Sequence, residues 1–528
     1  MYTYNAIEEE ESMELVKSNI HMNKIIKNEA VTINVNHEDR IMESNPEISS
    51  IINHREMVTA DNVTVRNNQI IIDGTIAFGM LYYSNDSGAV NGVEGEIPFS
   101  ETVKVPGLEE DNGADVRLVV ISASVKLINS RSYIYKIQLM AYITMEKMED
   151  LEAVTSLENE GVMCKYCNID TLSMVADKTD TFRINDRIAV SSGKPAIDRI
   201  VWKDVRIKNV NTKVMDGMIH IGGELYAFIM YIPDNESVAQ QWIETTLNFG
   251  GTIEMPEAVE DMVSYIGVDL HNVNVEPQMD QDNEIRILDI NALLKLNIKM
   301  YEEKHMEVIE DVYSPNVNLI PVMEEKVYEK LLVKNASRTK STIKLTADQS
   351  RGSILQICNS GAHVKIENIL VSDNGLKAVG KIRANVMYVS SDDTNPICCE
   401  TKEIDFEHRI DAEGITPEDQ YYINWRVEQI NANMLSTEEI EVKAVIALET
   451  IVFKDERKAF ISSINEEAID MEAVNAAPMI KGYVVQSGDT LWKLAKENYT
   501  TIDKIIKVND LQNRQIKKGD RLLLLKSC

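Results

Sequence analysis

The residues of this 528-residue chain that could carry chemistry are few and poorly spaced for it. Cys164 and Cys167 have the C-x-x-C spacing of a metal or redox pair. No second Cys/His pair follows to complete a tetrahedral zinc site, and the adjacent Cys398 and Cys399 cannot easily serve together. Asp280-Gln-Asp282-Asn-Glu284 begins like a calcium loop, yet Ile285 stands where that loop needs glycine. Gly193-Lys194 lacks the upstream glycine and the following Ser/Thr of a phosphate-binding loop, since Pro195 comes next. The eight histidines are scattered, with no pair at helical i, i+4 spacing. Nothing here asks for a metal, a cofactor or a catalytic centre, and a non-enzymatic protein is expected.

Composition bounds the alternatives. Apolar residues at 44% and charged residues at 26% describe folded domains rather than a disordered chain, and the length suits three or four of them. No apolar run is long enough for a membrane span, and the start, MYTYNAIEEEESMELVKS, is acidic where a secretory signal would be basic and then apolar. This predicts a protein that stays in the cytosol, which the six irregularly placed cysteines fit. Net charge is −31, but residues 480–528 hold 10 Lys/Arg against 5 Asp/Glu, a net of +5, so the remainder carries −36. An acidic body of this kind repels nucleic acid, while a basic tail can meet an acidic partner or a glycan. The run Glu8–Glu11 reads as a solvated face.

Three segments repeat. Pro46-Glu-Ile48, Pro195-Ala-Ile197 and Gly352-Ser-Ile354 each precede by 28 residues a glycine that opens an apolar run: Gly74, Gly223 and Gly380. Counted from those glycines, even positions give Ile76, Phe78, Met80, Tyr82; Leu225, Ala227, Ile229, Tyr231; and Ile382, Ala384, Val386, Tyr388. Alternation at period two predicts strands with one buried face. Turn-formers follow (Ser84-Asn85-Asp86, Pro233-Asp234-Asn235, Ser390-Ser391-Asp392), and a Glu-Thr pair is expected to open each return strand, at Glu101, Glu244 and Glu400. Long strand-like runs from Tyr133, Glu284 and Glu439 close the units. The fold class is mainly β: three tandem antiparallel sandwich-like repeats over 26–150, 170–313 and 335–461, after an acidic segment 1–25. Helical or irregular segments are expected between them, at Met145–Asn159 and at Pro321–Lys334, where VMEEKVYEKLL spaces apolar positions at three and four.

After a polar linker, 462–479, the pattern changes. Residues 480–526 read as a small βααβ domain. Tyr483-Val484-Val485 is a strand, Gln486-Ser487-Gly488-Asp489 a turn, and Asp489 is expected to cap a helix carrying Leu491, Leu494 and Ala495. Thr501 caps a second helix, and Lys517-Lys518-Gly519-Asp520 turns into a last strand, Arg521–Leu525.

YVVQSGDTLWKLA and IIKVNDLQNRQIKKGDRLLLL, with Asn509 and Gly519 in place, resemble the LysM family. That resemblance implies a ligand groove made by the loop before the first helix and the loop after the second: Gly488, Asp489, Thr490 and Leu491 with Asn509, Leu511 and Ile516. Trp492 has two readings, an indole at the edge of the core or an exposed aromatic anchor. In the second it joins Ile480, Ser487, Leu491 and Lys493 as a partner-binding face. Three β repeats followed by one LysM resemble the SPOCS-domain, LysM-containing spore coat morphogenetic proteins of spore-forming anaerobes. The resemblance implies a mother-cell protein at the forespore surface whose LysM recruits SpoIVA, the coat scaffold ATPase, and whose repeats meet other coat proteins or one another. The alternative from another class is binding of peptidoglycan, an N-acetylglucosamine polymer, in the LysM groove. An undetected hydrolase targeted by LysM lacks both export and catalytic residues.

Overall fold

A computed structural model describes residues 14–526 apart from 85–88, 160, 236–238, 373, 469–477 and 513. The run Glu8–Glu11, Asn85 and Asp86 of the first turn, the middle of the 462–479 segment and Cys528 lie outside the described residues.

Each repeat is six strands in two three-stranded antiparallel sheets. The first has β1 (Leu15–Arg40), β2 (Ile48–Arg66), β3 (Gln69–Ser84), β4 (Val90–Lys104), β5 (Gly113–Leu127) and β6 (Ser132–Leu157), in the orders β1-β6-β5 and β2-β3-β4. The second has β7 (Met163–Ala189), β8 (Ile197–Met215), β9 (Met218–Pro233), β10 (Gln241–Glu254), β11 (Val263–Met279) and β12 (Ile285–Tyr313). The third has β13 (Asn318–Thr346), β14 (Ile354–Ser372), β15 (Gly375–Ser390), β16 (Ile397–Asp411), β17 (Gln420–Met434) and β18 (Glu439–Glu467), in the same sheet orders. Each pair of sheets closes on a shared core, as when Ile76 and Phe78 of β3 meet Tyr135 and Leu139 of β6.

All twelve even-position residues, from Ile76 to Tyr388, are buried. The tyrosines tie the repeated motif together. Tyr82 and Tyr231 donate to the carbonyls of Pro46 and Pro195 at 3.1 and 3.0 Å, whereas Tyr388, whose repeat has no proline there, donates to Glu400 Oε1 at 3.4 Å. The recurring glycines face bulges in β2, β8 and β14, where the register shifts at Ala60/Asn62, Lys208/Asn211 and Ile366/Asn368. There the neighbouring strand leans in, and a Cβ at Gly74 or Gly380 would lie 2.4 or 2.0 Å from the carbonyl oxygen of Thr59 or Lys365. Odd positions are mixed because they face other repeats: Leu81, Tyr83, Phe228, Met230 and Met387 share one buried cluster.

Three expectations are corrected. Residues 321–334 are all strand, and Met145–Asn159 is strand as far as Leu157. The pairing of β13 with β18 shifts register at Val322/Met323 and Leu331/Val333; the extra residue is Ser462 of β18 at the first and Leu332 of β13 at the second, so within β13 the alternation is offset at Leu332. Cys164 and Cys167, in the interval between the first two expected repeats where helical or irregular chain was expected, lie on β7, and their odd spacing sends the two free thiols to opposite faces. The Glu-Thr pair lies near the start of β10 and β16, but β4 begins at Val90 and carries Glu101 near its far end, opposite Ile72.

The outer strands outrun their sheets. β5, β11 and β17 stop opposite Glu146, Tyr301 and Phe453, and beyond these residues β6, β12 and β18 pair only with β1, β7 and β13. The resulting three two-stranded ribbons pack on one another as a stalk. Matching positions meet in common clusters: Ala153, Val308 and Phe460 in one, Val154, Ile309 and Ile461 in the next.

At the base of the stalk all three repeats hold one carboxylate. Glu146, 3% exposed, accepts from Asn23 at 2.8 Å, from Lys299 of the second repeat at 2.6 Å and from Tyr422 of the third at 2.7 Å. Lys299 also reaches Asp177 at 2.7 Å. Burial alone would lower the Lys299 ammonium, but Glu146 and Asp177 outweigh it and hold it above its ordinary range.

Two stability measurements check this account. Gly380→Ala should cost about 1–3 kcal/mol through overpacking, read by thermal unfolding, whereas Gly250→Ala, whose Cβ would find its nearest neighbour at 3.6 Å, should cost less. Lys299→Met should cost about 3–5 kcal/mol by leaving a buried carboxylate without its cation. Glu146→Gln added to it should recover most of that loss.

Candidate functional site

The tail module is β19 (Ile480–Val484), α1 (Leu491–Glu497), α2 (Ile502–Val508) and β20 (Arg521–Leu525), with β19 antiparallel to β20. Its core is Val485, Leu491, Leu494, Ala495, Ile505, Leu522 and Leu524. Thr501 caps α2 as expected, its hydroxyl accepting from Lys504 N at 3.2 Å. The cap of α1 is corrected from Asp489 to Thr490, which accepts from Lys493 N at 3.1 Å. Asp489 instead closes the preceding turn, accepting from Gln486 N at 2.8 Å and from the Tyr483 hydroxyl at 2.9 Å. These bonds, the Gln486 amide first, hold its carboxyl below the usual range.

The groove residues differ in what they leave free. Gly488 has φ +92° and open space about its Cα, the backbone that glycine tolerates in such a turn. Leu491 is buried, and Leu511 and Ile516 are half-buried against the same core. Asn509 is taken up by β20: its amide donates to Leu523 O at 2.8 Å and accepts from Leu523 N at 2.7 Å.

Of the residues assigned to a partner face, Ser487 and Lys493 are exposed, and Ile480 is 62% exposed. Trp492 is half-buried, and what covers it is the stalk. Its indole meets Tyr313, the last residue of β12, edge-on at 4.8 Å, and its Nε1 donates to Asp311 at 2.7 Å. Lys496, one turn along α1, pairs with the other oxygen of Asp311 at 2.6 Å. Met163 completes this seat from β7. Trp492 and Ile480 therefore do not form one face, since Ile480 stands on the outer side of the β19–β20 sheet. There Val484 and Leu523 join it, 50% and 48% exposed. Sequence reasoning passed over those two residues, although the alternation in IKGYV and RLLLL marks them as facing away from the core.

The seat predicts a measurable release. In Asp311→Ala, hydrogen exchange of the segment 491–497 should rise relative to the unaltered chain, because α1 loses both polar contacts to the stalk. Exchange in 521–525, held by the module's own core, should not change.

A family model described as SipL, SPOCS domain, matches residues 47–128, 196–278 and 353–435, and one for the LysM domain matches 483–524. No curated protein and no solved structure matches the chain significantly. Each SPOCS match runs from the start of β2, β8 or β14 to the end of β5, β11 or β17, leaving the long stalk strands outside. SPOCS and LysM domains are binding domains without catalytic function, and LysM domains bind peptidoglycan. Among the described residues no helix is long and apolar enough to cross a membrane. Three SPOCS repeats followed by a LysM domain make this chain a member of the sporulation-related, SipL-like proteins that combine the two.

Proposed function

We propose that the protein is a non-enzymatic adaptor of spore coat assembly, which sits at the forespore surface in the mother cell and recruits the SpoIVA-type scaffold ATPase through its LysM domain. The observation that carries this reading is the apolar strip formed by Ile480, Val484 and Leu523, which faces away from the stalk on the outside of a basic module. An exposed apolar patch on a folded module marks a protein contact more readily than a sugar contact does. The groove residues support glycan binding less well, because Asn509 and Leu491 are engaged within the module. The three repeats would then act as the body that meets other coat proteins.

The test pairs the full chain with two ligands, the purified scaffold ATPase and peptidoglycan sacculi. Leu523→Glu and Ile480→Glu should each weaken ATPase capture about tenfold or more, the loss expected when a central contact is removed, with the far-ultraviolet circular dichroism unchanged. Strong retention on sacculi with no ATPase captured would establish the glycan reading instead.

A further inference from the structure

Two cavities of about 390 Å3 each lie where the three repeats meet, and they share Arg117, Leu270 and Trp425 in their walls. One touches the aromatic cluster below the stalk through Tyr265 and Tyr422, and four carboxylates to two cations line it. The other is opposite in charge. Its wall, drawn from all three repeats, holds seven lysines and arginines against three carboxylates, inside a chain whose net charge is −31; three of those cations pair with carboxylates just outside the wall, Lys365 with Glu367 at 3.0 Å, Arg426 with Glu449 at 2.7 Å and Arg55 with Glu94 at 4.0 Å.

The three carboxylates are already matched. Asp204 binds Arg206 at 2.6 Å, Glu403 binds Lys381 at 3.0 Å, and Glu56 meets His54 at 2.8 Å. Arg117 is spent on neutral groups, the Asn424 side chain at 2.7 Å and the Trp425 carbonyl at 2.6 Å. Arg383 has neither an ion pair nor a hydrogen bond among the described residues. A second observation points the same way: Nε of Arg55, Nε of Arg426 and Nε1 of Trp202, all in wall residues, are buried donors without an acceptor.

We propose that this cavity is a binding site for a compact multivalent anion of the phosphate class. Phosphate oxygens accept from arginine forks, and low-dielectric walls focus the field of unpaired arginines, which attracts anions against the outer field of an acidic body. The volume limits the ligand to a small molecule, and the two arginines without a carboxylate partner, Arg117 and Arg383, favour a dianion over a single carboxylate. Because every repeat contributes to the wall, a bound anion would also lock the three repeats together.

Inorganic pyrophosphate is the probe, titrated calorimetrically into the full chain at fixed ionic strength, with spermidine as the opposite-charge control. Saturable pyrophosphate binding is expected, together with a raised unfolding temperature. Arg383→Gln, which breaks no recorded contact, should weaken binding at least tenfold. Thr401→Glu, which adds a carboxylate to an exposed position of the wall, should do the same without removing a cation. Absence of saturable binding to the unaltered chain, or unchanged binding in either folded variant, would overturn the proposal.

Discussion

A carboxylate cannot be left alone in an apolar interior, and the burial of Glu146 fixes how the three repeats meet. Its partners come from all of them: Asn23 from its own repeat, Lys299 from the second, Tyr422 from the third. Because each partner also belongs to a sheet with its own register, satisfying this one group sets the relative rotation of three sandwiches. Apolar packing above and below then follows. The ribbons converge on one side around Ala153, Val308 and Phe460, and the repeated central strands converge on the other around Tyr83, Phe228 and Met387. Tyr83 locks the latter side, donating to Ile397 O at 2.8 Å and accepting from Ile397 N at 2.7 Å.

Between the two apolar plugs the strands diverge enough to leave cavities, and side chains there face water or one another. Polar groups therefore collect around the cavities where the repeats meet. The stalk ends at Tyr313, and the LysM domain rests on that end by a single aromatic contact backed by Asp311.

Much of the repeat was legible because it is local. Glycine, alternating apolar residues and a terminal tyrosine lie within ten residues of one another, and the period of two follows directly from the pleat. The LysM domain was legible for the same reason, with its caps, turns and core residues close in sequence. What was not legible depended on partners far away or on bulges. VMEEKVYEKLL looks helical because its apolar residues do not alternate, Leu332 being an inserted residue, and only its pairing with β18 reveals the strand. The environment of Trp492 is set by Asp311, 181 residues earlier, which no local pattern could announce. The same holds for the basic cavity, whose cations come from strands of all three repeats.

Glu146, Tyr301 and Phe453 occupy the same position in successive repeats, each where the third strand of a sheet stops. A homotrimer built from one such repeat would have to place the same residue at that point three times. Three buried glutamates would repel one another, and three phenylalanines would offer no polar register. Joining the repeats in one chain removes that symmetry requirement, so a single acid can be set against a lysine and a tyrosine drawn from non-equivalent places. Covalent linkage thereby gives the trunk an order, first to third, and leaves it with one LysM domain where a symmetric trimer would carry three.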